Sequence, residues 1–579
     1  MASVRAMAIG LVGGSLLSVS TVSPATGGNQ EHIVRTADVD PKVAAIVEKY
    51  QASIPRMMDE QKVPGLAIAL VFGGQLIWAE GFGVTDTTSK RPVTPDTTFS
   101  VQSISNSYTA TAVMAAVAEG RLALDEPITT YLPSFTVHSR FEADPQKKIT
   151  LRLLLSHRAG FTHEAPVGNN HDDDTRSFAA HIESISDTWL KFPVGQRYSY
   201  SNLGIDLAGH ILEVVYRQPY AKVMAQKVFR PLGLRATTVD QDAVEQLKTR
   251  AIGHTKDHDR VPVRIAMVPA GGVYTNVRDM TRFMQFHLNG GTVGRKRVIS
   301  KNVLDGMYEP CCGDEGSSYA LGIAVGESRF GDTTVVSLGH SGGGLGFKSD
   351  MYWFSKLGVG VAILTNSDSH QLQGTLYSAL SQEIFEAFLG KKASTANRPE
   401  KSRTPVSVDA SRARQLSGLF VGPPDIELAV RDSQLGWLRQ SKFYPVTFLS
   451  ADEIEVKLPS MVMTLRFHSD GQRDPAWADC TVEVGAMRIS GTLAYNGSPY
   501  DPVGPDEAGW GGHLGDYAMP QWGKVVDTVN LHVENGYLYF GEFRVVDEYQ
   551  PGLFFLSDGE ALDLRRQPPT FRNIALIRK

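Results

Sequence analysis

The sequence predicts an α+β domain, an antiparallel sheet flanked by helices, followed by an all-β region built of small barrel modules. Three observations predict it. A chain of 579 residues is too long for one compact core, so two or more domains are expected. Between residues 40 and 390, segments with helical periodicity are interleaved with short strand-like runs. After Asp409 the pattern changes to short alternating runs separated by turn residues.

Asp40 to Gln61 reads as a helix. Leu66–Phe72 and Gln75–Gly81 flank Gly73-Gly74, which signals a hairpin. Thr97 to Phe99 is extended in character, and from Tyr108 the residues Ala110, Val113, Met114 and Val117 recur at helical spacing until Gly120. Tyr198 to Gly204 opens another helix, carried on by Leu207, Ile211, Leu212 and Val215. In Pro269–Met280 a double glycine turns the backbone and Thr275 or Asn276 begins a helix that Asp279 favours. Met351–Phe354 and Val359–Asn366 read as strands of an antiparallel sheet, and Leu372–Leu389 as the closing helix. Residues 391–408 are charged and proline-containing, which marks a linker. Beyond it, Leu416–Leu438 and Leu514–Phe540 look alike, so the region 409–579 is expected to hold either two small β modules, 409–500 and 505–579, or two halves of one barrel.

Arg5, the apolar run from Ala6 to Val22 and the small residues Ser23-Pro24-Ala25 read as a signal peptide over 1–25, so a secreted or periplasmic protein is expected. No later segment offers eighteen continuous apolar residues, so no membrane span is expected. Net charge is −5 with interspersed signs, which excludes the electrostatic footprint of a nucleic-acid binder. Cys311 and Cys312 are adjacent and Cys480 stands alone. This is neither a disulfide framework nor a metal-ligand spacing, and one bridge to Cys480 would need an oxidising compartment. His163, His171 and the aspartates of Asn169–Asp174 lack regular ligand spacing, so a solvated loop is expected, with no metal and no cofactor.

The candidate chemistry centres on Ser103, at the entry of the Tyr108 helix, where free N–H groups and the helix dipole favour developing negative charge. Taken alone it also suits an N-cap. Three further stretches follow in order: Leu153-Leu154-Leu155-Ser156-His157-Arg158-Ala159-Gly160, Tyr200-Ser201-Asn202, and Gly339-His340-Ser341-Gly342-Gly343-Gly344. With Ser103, these resemble the serine β-lactamase and penicillin-binding-protein superfamily, in its esterase and D-aminopeptidase branch, over about residues 40 to 390.

The resemblance implies a β-lactamase-like domain followed by lipocalin-like barrels. It also implies acyl transfer through Ser103 on esters, amides or D-amino-acid-containing peptides. Tyr200 would relay the serine proton, and Asn202, His340, Ser341 and Gly342 would line the substrate site. The His340 strand would be an edge strand, with the N–H of Gly342 or a close neighbour completing an oxyanion hole. His157 would support the site without reacting.

One position departs from the pattern. The family has Ser-x-x-Lys, where the lysine lies one turn from the serine and takes its proton. Here that position is Asn106, and no lysine lies anywhere from 91 to 146. An amide has no usable basicity, and Tyr200 loses the positive neighbour that would lower its pKa from about 10. His340, with a reference pKa of about 6.5, is the other base in reach, expected one water from Ser103. Two functions of different class remain open: a serine hydrolase acting on a small-molecule or peptide substrate, with weak or rewired activation, or an inactive pseudo-enzyme that binds a peptide or cell-wall ligand or serves as a scaffold.

Overall fold

The computed structural model describes residues 39–171, 176–248, 250–256, 261–309, 311, 319–393, 405–421, 426–439, 442–458, 461–469, 474–484, 487–495, 510–534, 537–541, 543–556 and 559–579. The expected leader and most of the expected linker lie outside these residues.

The first helix, α1 (Pro41–Gln61), begins where the Asp40 carboxylate accepts from the Lys42 N–H and Pro41 occupies the first turn. It leads into β1 (Gly65–Phe72) and β2 (Gln75–Gly83), joined by Gly73 and Gly74, both at positive φ. Then come α2 (Ser105–Ala118), α3 (Asn202–Tyr216) and α4 (Val277–Leu288). Four strands complete the sheet: β3 (Ala324–Phe330), β4 (Thr333–Gly344), β5 (Phe347–Phe354) and β6 (Val359–Thr365). The helix α5 (Leu372–Leu389) follows.

The six strands form one antiparallel sheet in the order β2-β1-β6-β5-β4-β3. Both faces are covered, so β1 and β6 are buried continuously and do not alternate with polar residues. Leu66, Ile68, Leu70, Val361 and Ile363 pack against α1 and α5. Ala67, Ala69, Val71, Met351, Trp353 and Ala362 face α2, α3 and α4 on the other side. From Ser105 to Ala116 every residue of α2 is buried, so this helix is the axis of the second layer.

The β4 strand is not a simple edge. β3 pairs with it only from Thr333 to Gly339, whereas from His340 to Gly344 it pairs with β5 alone. The expected edge strand is therefore an inner strand over its first half and an edge over the glycine-rich segment. That free edge is what lets another part of the chain approach it.

The all-β region folds as two nine-stranded sheets, one from Gly418 to Tyr495 and one from Gly515 to Arg578, each with its own core. In both, the first strand pairs with the last: Gly418–Val421 with Met487–Tyr495, and Gly515–Gln521 with Ile577–Arg578. Each ring is open only between two chain-adjacent strands, Lys442–Pro445 and Thr447–Ser450 in one, Ile574–Ala575 and Ile577–Arg578 in the other. Near-closure of this kind leaves few unpaired strand edges. Cys480 is a free thiol buried in the first of these cores, not a partner in a bridge.

Two glycines test how tightly the sheet is fitted. A Cβ on Gly81 would lie 2.4 Å from the Val93 carbonyl oxygen and 2.7 Å from the Thr94 nitrogen, both backbone atoms. Gly81→Ala is expected to destabilise the α+β domain by about 1–3 kcal/mol. Gly374 lies inside α5 with open space around it, so Gly374→Ala is expected to stabilise by about 1 kcal/mol. Urea unfolding followed by tryptophan fluorescence reads both, and equal shifts would contradict this packing.

Candidate active site

Ser103 sits in a single 3-10 turn, Gln102–Ile104, immediately before α2. The turn is held from three sides. The short strand Phe99–Ser100 pairs with Tyr274–Thr275. The Val101 N–H donates to the Val273 carbonyl at 3.0 Å, and the Val273 N–H donates to Ser105 Oγ at 3.0 Å. The stretch Pro269–Met280 thus grips the serine turn directly. Gln102 adopts a φ of +50°, an unfavourable conformation for a residue with a side chain, and its amide donates to Ser100 Oγ at 2.7 Å. Ser103 itself is partly exposed, although its neighbours in the turn are buried.

The free edge of β4 lies against this turn. A Cβ on Gly342 would come within 2.1 Å of the Val101 carbonyl oxygen and 3.1 Å of the Ser103 nitrogen. Only glycine allows this approach. It brings the backbone of the His340–Gly344 segment beside the Ser103 N–H, the arrangement that a pair of oxyanion donors needs.

Tyr200 precedes the first turn of α3 and is half-buried. Its hydroxyl is hydrogen-bonded to Ser103 and accepts from Asn106 Nδ2 at 2.7 Å. Burial pushes the phenol up to about 12, more than the Ser103 and Asn106 hydrogen bonds pull it down. The phenol is therefore protonated at neutral pH. Asn106 Nδ2 also reaches the Tyr319 hydroxyl at 3.5 Å, while its Oδ1 is buried with no hydrogen-bond partner among the described residues. The amide therefore stands between two phenol oxygens that accept from it, and its carbonyl end has no donor to meet.

His340 has close partners that no sequence motif indicates. Its Nε2 is 2.7 Å from the Tyr319 hydroxyl and its Nδ1 is 2.5 Å from the Ser341 carbonyl. A carbonyl only accepts, so Nδ1 carries the proton and Nε2 accepts from Tyr319. Burial pulls the imidazole down to about 4, partly offset by the Ser341 carbonyl. The ring is packed among Tyr200 and Tyr319 at 6.1 and 5.5 Å between centroids, and this enclosure is the cause of the shift.

Sequence reasoning missed Tyr319, which lies outside every recognised motif. It is nevertheless the residue that connects Asn106 to His340.

The other expected residues occupy distinct places. Asn202 is buried at the start of α3, and its amide faces the Met267 thioether at 3.8 Å, a weak acceptor. Ser341 points to the opposite face of β4 from His340, where its hydroxyl meets the Tyr352 hydroxyl at 2.9 Å and bonds Asp350. Burial raises that aspartate to about 7, against the Ser341 hydrogen bond. His157 has a φ of +57° and packs against the Tyr200 ring in a tilted arrangement, with 4.2 Å between centroids. Its Nδ1 accepts from the Ser201 N–H at 3.2 Å, so it braces the Tyr200 segment through ring and backbone.

The expected solvated loop at 169–174 is a further correction as far as it is described. Asn169 is buried, and the His171 carbonyl accepts from the Trp522 N–H at 3.0 Å, so the second barrel covers this stretch. Residues 172–174 lie outside the described residues. No cluster of His, Cys, Asp and Glu fit for a metal is found among the described residues, and no described helix is long and apolar enough to cross a membrane.

With this geometry in view, the comparisons with known proteins agree. A model of the Beta-lactamase family matches residues 45–380, more than half of the chain, and the chain belongs to that family. Penicillin-binding protein 4 of Amycolatopsis lactamdurans is 27% identical over 387 residues, covering 64% of this chain and 96% of that protein. Protein flp of Staphylococcus aureus (strain MRSA252) is 24% identical over 314 residues, covering 53% of this chain and 60% of its own length. Among solved structures, the octameric penicillin-binding protein homologue from Pyrococcus abyssi aligns with a TM-score of 0.51 at 22% identity, covering 77% of this chain and 99% of that one. SurE aligns with a TM-score of 0.55 at 21% identity, covering 78% and 100%. These likenesses show a shared fold, a β-lactamase-like domain followed by an all-β region.

The buried state of His340 has a measurable consequence. Its folded pKa lies below the unfolded value of about 6.5, so its contribution to stability is fully present above that pH. That contribution is lost as pH falls toward the folded value, because the unfolded chain takes the proton first. At pH 5 the loss is about 2 kcal/mol. His340→Gln is therefore expected to flatten the acid limb of the stability profile by that amount between pH 7 and pH 5. Paired urea titrations at the two pH values check it, and parallel profiles for the two proteins would contradict a buried neutral imidazole.

Proposed function

We propose that this protein is a serine hydrolase of the acyl-transfer type, acting through Ser103 on esters, amides or D-amino-acid-containing peptides, with its activation impaired at Asn106. Attack by Ser103 Oγ on the substrate carbonyl carbon would form an acyl-enzyme, and water would then release it. The Ser103 N–H and the N–H of Gly342 or its neighbour would hold the developing oxyanion. Tyr200 would pass the serine proton to the leaving group. Asn202 would orient the substrate carbonyl or amide.

One observation carries this reading. The pocket around residue 106 offers hydrogen-bond acceptors, the Tyr200 and Tyr319 hydroxyls, and among the described residues leaves the carbonyl of the resident amide without a donor. Such a pocket suits a group that only donates, and an ammonium is one. A positive charge there would also lower the Tyr200 phenol from its present value near 12. The site keeps its nucleophile, its phenol and its oxyanion edge, but lacks the cation that would make the phenol useful at neutral pH. A leader over residues 1–25 and export from the cytoplasm belong to the same proposal, since esters and peptides of this kind suit a secreted or periplasmic enzyme.

The pseudo-enzyme reading draws on the same amide: with no base in contact with Ser103, the cleft would bind without turnover. The two are separated by restoring the cation. Asn106→Lys is expected to raise hydrolysis of 4-nitrophenyl acetate by roughly 10²–10⁴, the usual contribution of a general base. Ser103→Ala in the same background should remove the gain, which separates serine chemistry from direct attack by the new amine. A folded Asn106→Lys protein with no Ser103-dependent rate would favour the binding protein.

A further inference from the structure

The second barrel contributes a buried carboxylate to the hydrolase domain. Glu560 follows the strand Leu553–Leu556 and is only 2% exposed. It reaches across to two separate segments of the catalytic domain. Thr162 Oγ1 donates to its Oε2, and Lys191 Nζ pairs with its Oε1 at 2.9 Å. Burial would raise this carboxyl, but the charges of Lys191 and Arg572 and the Thr162 hydrogen bond hold it below the usual carboxylate range.

Both partners lead to Tyr200. The Thr162 carbonyl accepts from Ser201 Oγ at 2.6 Å, and the Ser201 N–H donates to His157, whose ring lies on Tyr200. The Ser199 N–H donates to the His157 carbonyl at 2.8 Å. From the other partner, the Lys191 N–H donates to the Gly160 carbonyl at 2.8 Å, tying the 190s to the same loop. The loop is gripped again further along. Asn573 Nδ2 donates to the Glu164 carbonyl at 2.8 Å, and Gln521 Nε2 donates to the Asn170 carbonyl at 3.2 Å. The 160–171 loop is thus held along its length by the second barrel, and Glu560 holds the end nearest Tyr200.

We infer that Glu560 is a positioning residue for Tyr200, acting through Thr162, Ser201 and His157, and that the second barrel is a working part of the active site. This rests on the proposed role of Tyr200, since orienting a phenol that relays no proton would have no catalytic effect. Of the two ties, the Thr162 one is the more direct, because two hydrogen bonds lead from Glu560 through Thr162 to the Ser201 hydroxyl. The Lys191 pair supplies the positive charge that keeps Glu560 ionised and therefore a strong acceptor.

The test uses the full chain with Glu560→Ala, Glu560→Gln and Thr162→Val. Two quantities are read: amide hydrogen exchange over 157–162 and 198–204, and the rate at which a fluorophosphonate modifies Ser103, followed by intact mass in the wild-type and Asn106→Lys backgrounds. Glu560→Ala is expected to speed exchange at Ser199 and Ser201 and to slow Ser103 modification by up to about 100-fold, the effect of displacing a catalytic group by about 1 Å. Glu560→Gln keeps an acceptor for Thr162 and should restore most of both readouts. Thr162→Val leaves the barrel intact and should reproduce the Ser201 exchange change.

Faster exchange confined to 510–579, with unchanged exchange at 198–204, would overturn the inference. A glutamine variant no better than alanine would also overturn it, since general loosening of the barrel would then suffice. If Ser103 is modified in neither background, the catalytic reading fails, while the exchange at Ser199 and Ser201 still decides whether Glu560 holds the Tyr200 segment.

Discussion

The site depends on one close approach, that of the Gly342 backbone to the turn carrying Ser103. Everything that defines the turn acts to make this approach possible. The pairing of Phe99–Ser100 with Tyr274–Thr275 fixes its entry, Val273 fixes its middle through both its N–H and its carbonyl, and α2 carries it away into the core. β3 ends at Phe330 opposite Thr333 and reaches no further along β4 than Gly339, so the motif segment keeps an open edge. The strained φ of Gln102 is held by these surrounding contacts, as expected for a residue that aims its neighbour at a functional position.

Around this contact the polar groups form one connected line: Ser103, Tyr200, Asn106, Tyr319, His340 and the Ser341 carbonyl. After the serine, Tyr200 is half-buried and Asn106, Tyr319 and His340 are buried, and the shifts leave the phenols and the imidazole neutral at neutral pH. Burial moves the phenols up and the imidazole down, so the low dielectric of the site pushes every titratable member toward its neutral form. A single positive charge placed among them would act on all of them at once, because little solvent is present to screen it. This is why one substitution in the line weighs more than its size suggests.

Much of this was legible in the sequence, and for identifiable reasons. The hairpin at Gly73-Gly74, the helices at Pro41–Gln61 and Leu372–Leu389, and the change of texture after Asp409 all rest on local patterns, and the corresponding elements are present. The serine, the tyrosine and the glycine-rich strand were found because each sits in a short motif and the motifs come in order. The burial of His340 among Tyr200 and Tyr319, which lowers its basicity, is a tertiary fact with no local signal. Tyr319 carried no local signal at all. The loop near Asn169 reads as polar and solvated, yet it is covered by a module some 350 residues further along, as in the contact of Gln521 with Asn170. Contacts of that sequence separation leave no mark on local composition.

The same separation sets an order of assembly. Thr162 and Glu560 are 398 residues apart in the chain. At a synthesis rate of roughly 5–20 residues per second, about 20–80 s pass between the appearance of one and the other. The hydrolase domain can fold during that interval, since its sheet is complete by Thr365 and its closing helix by Leu389. The loop that braces Tyr200 cannot take its final shape until the last barrel has closed. The chain therefore matures from its far end, with its cleft the last part to be finished although the serine is made early.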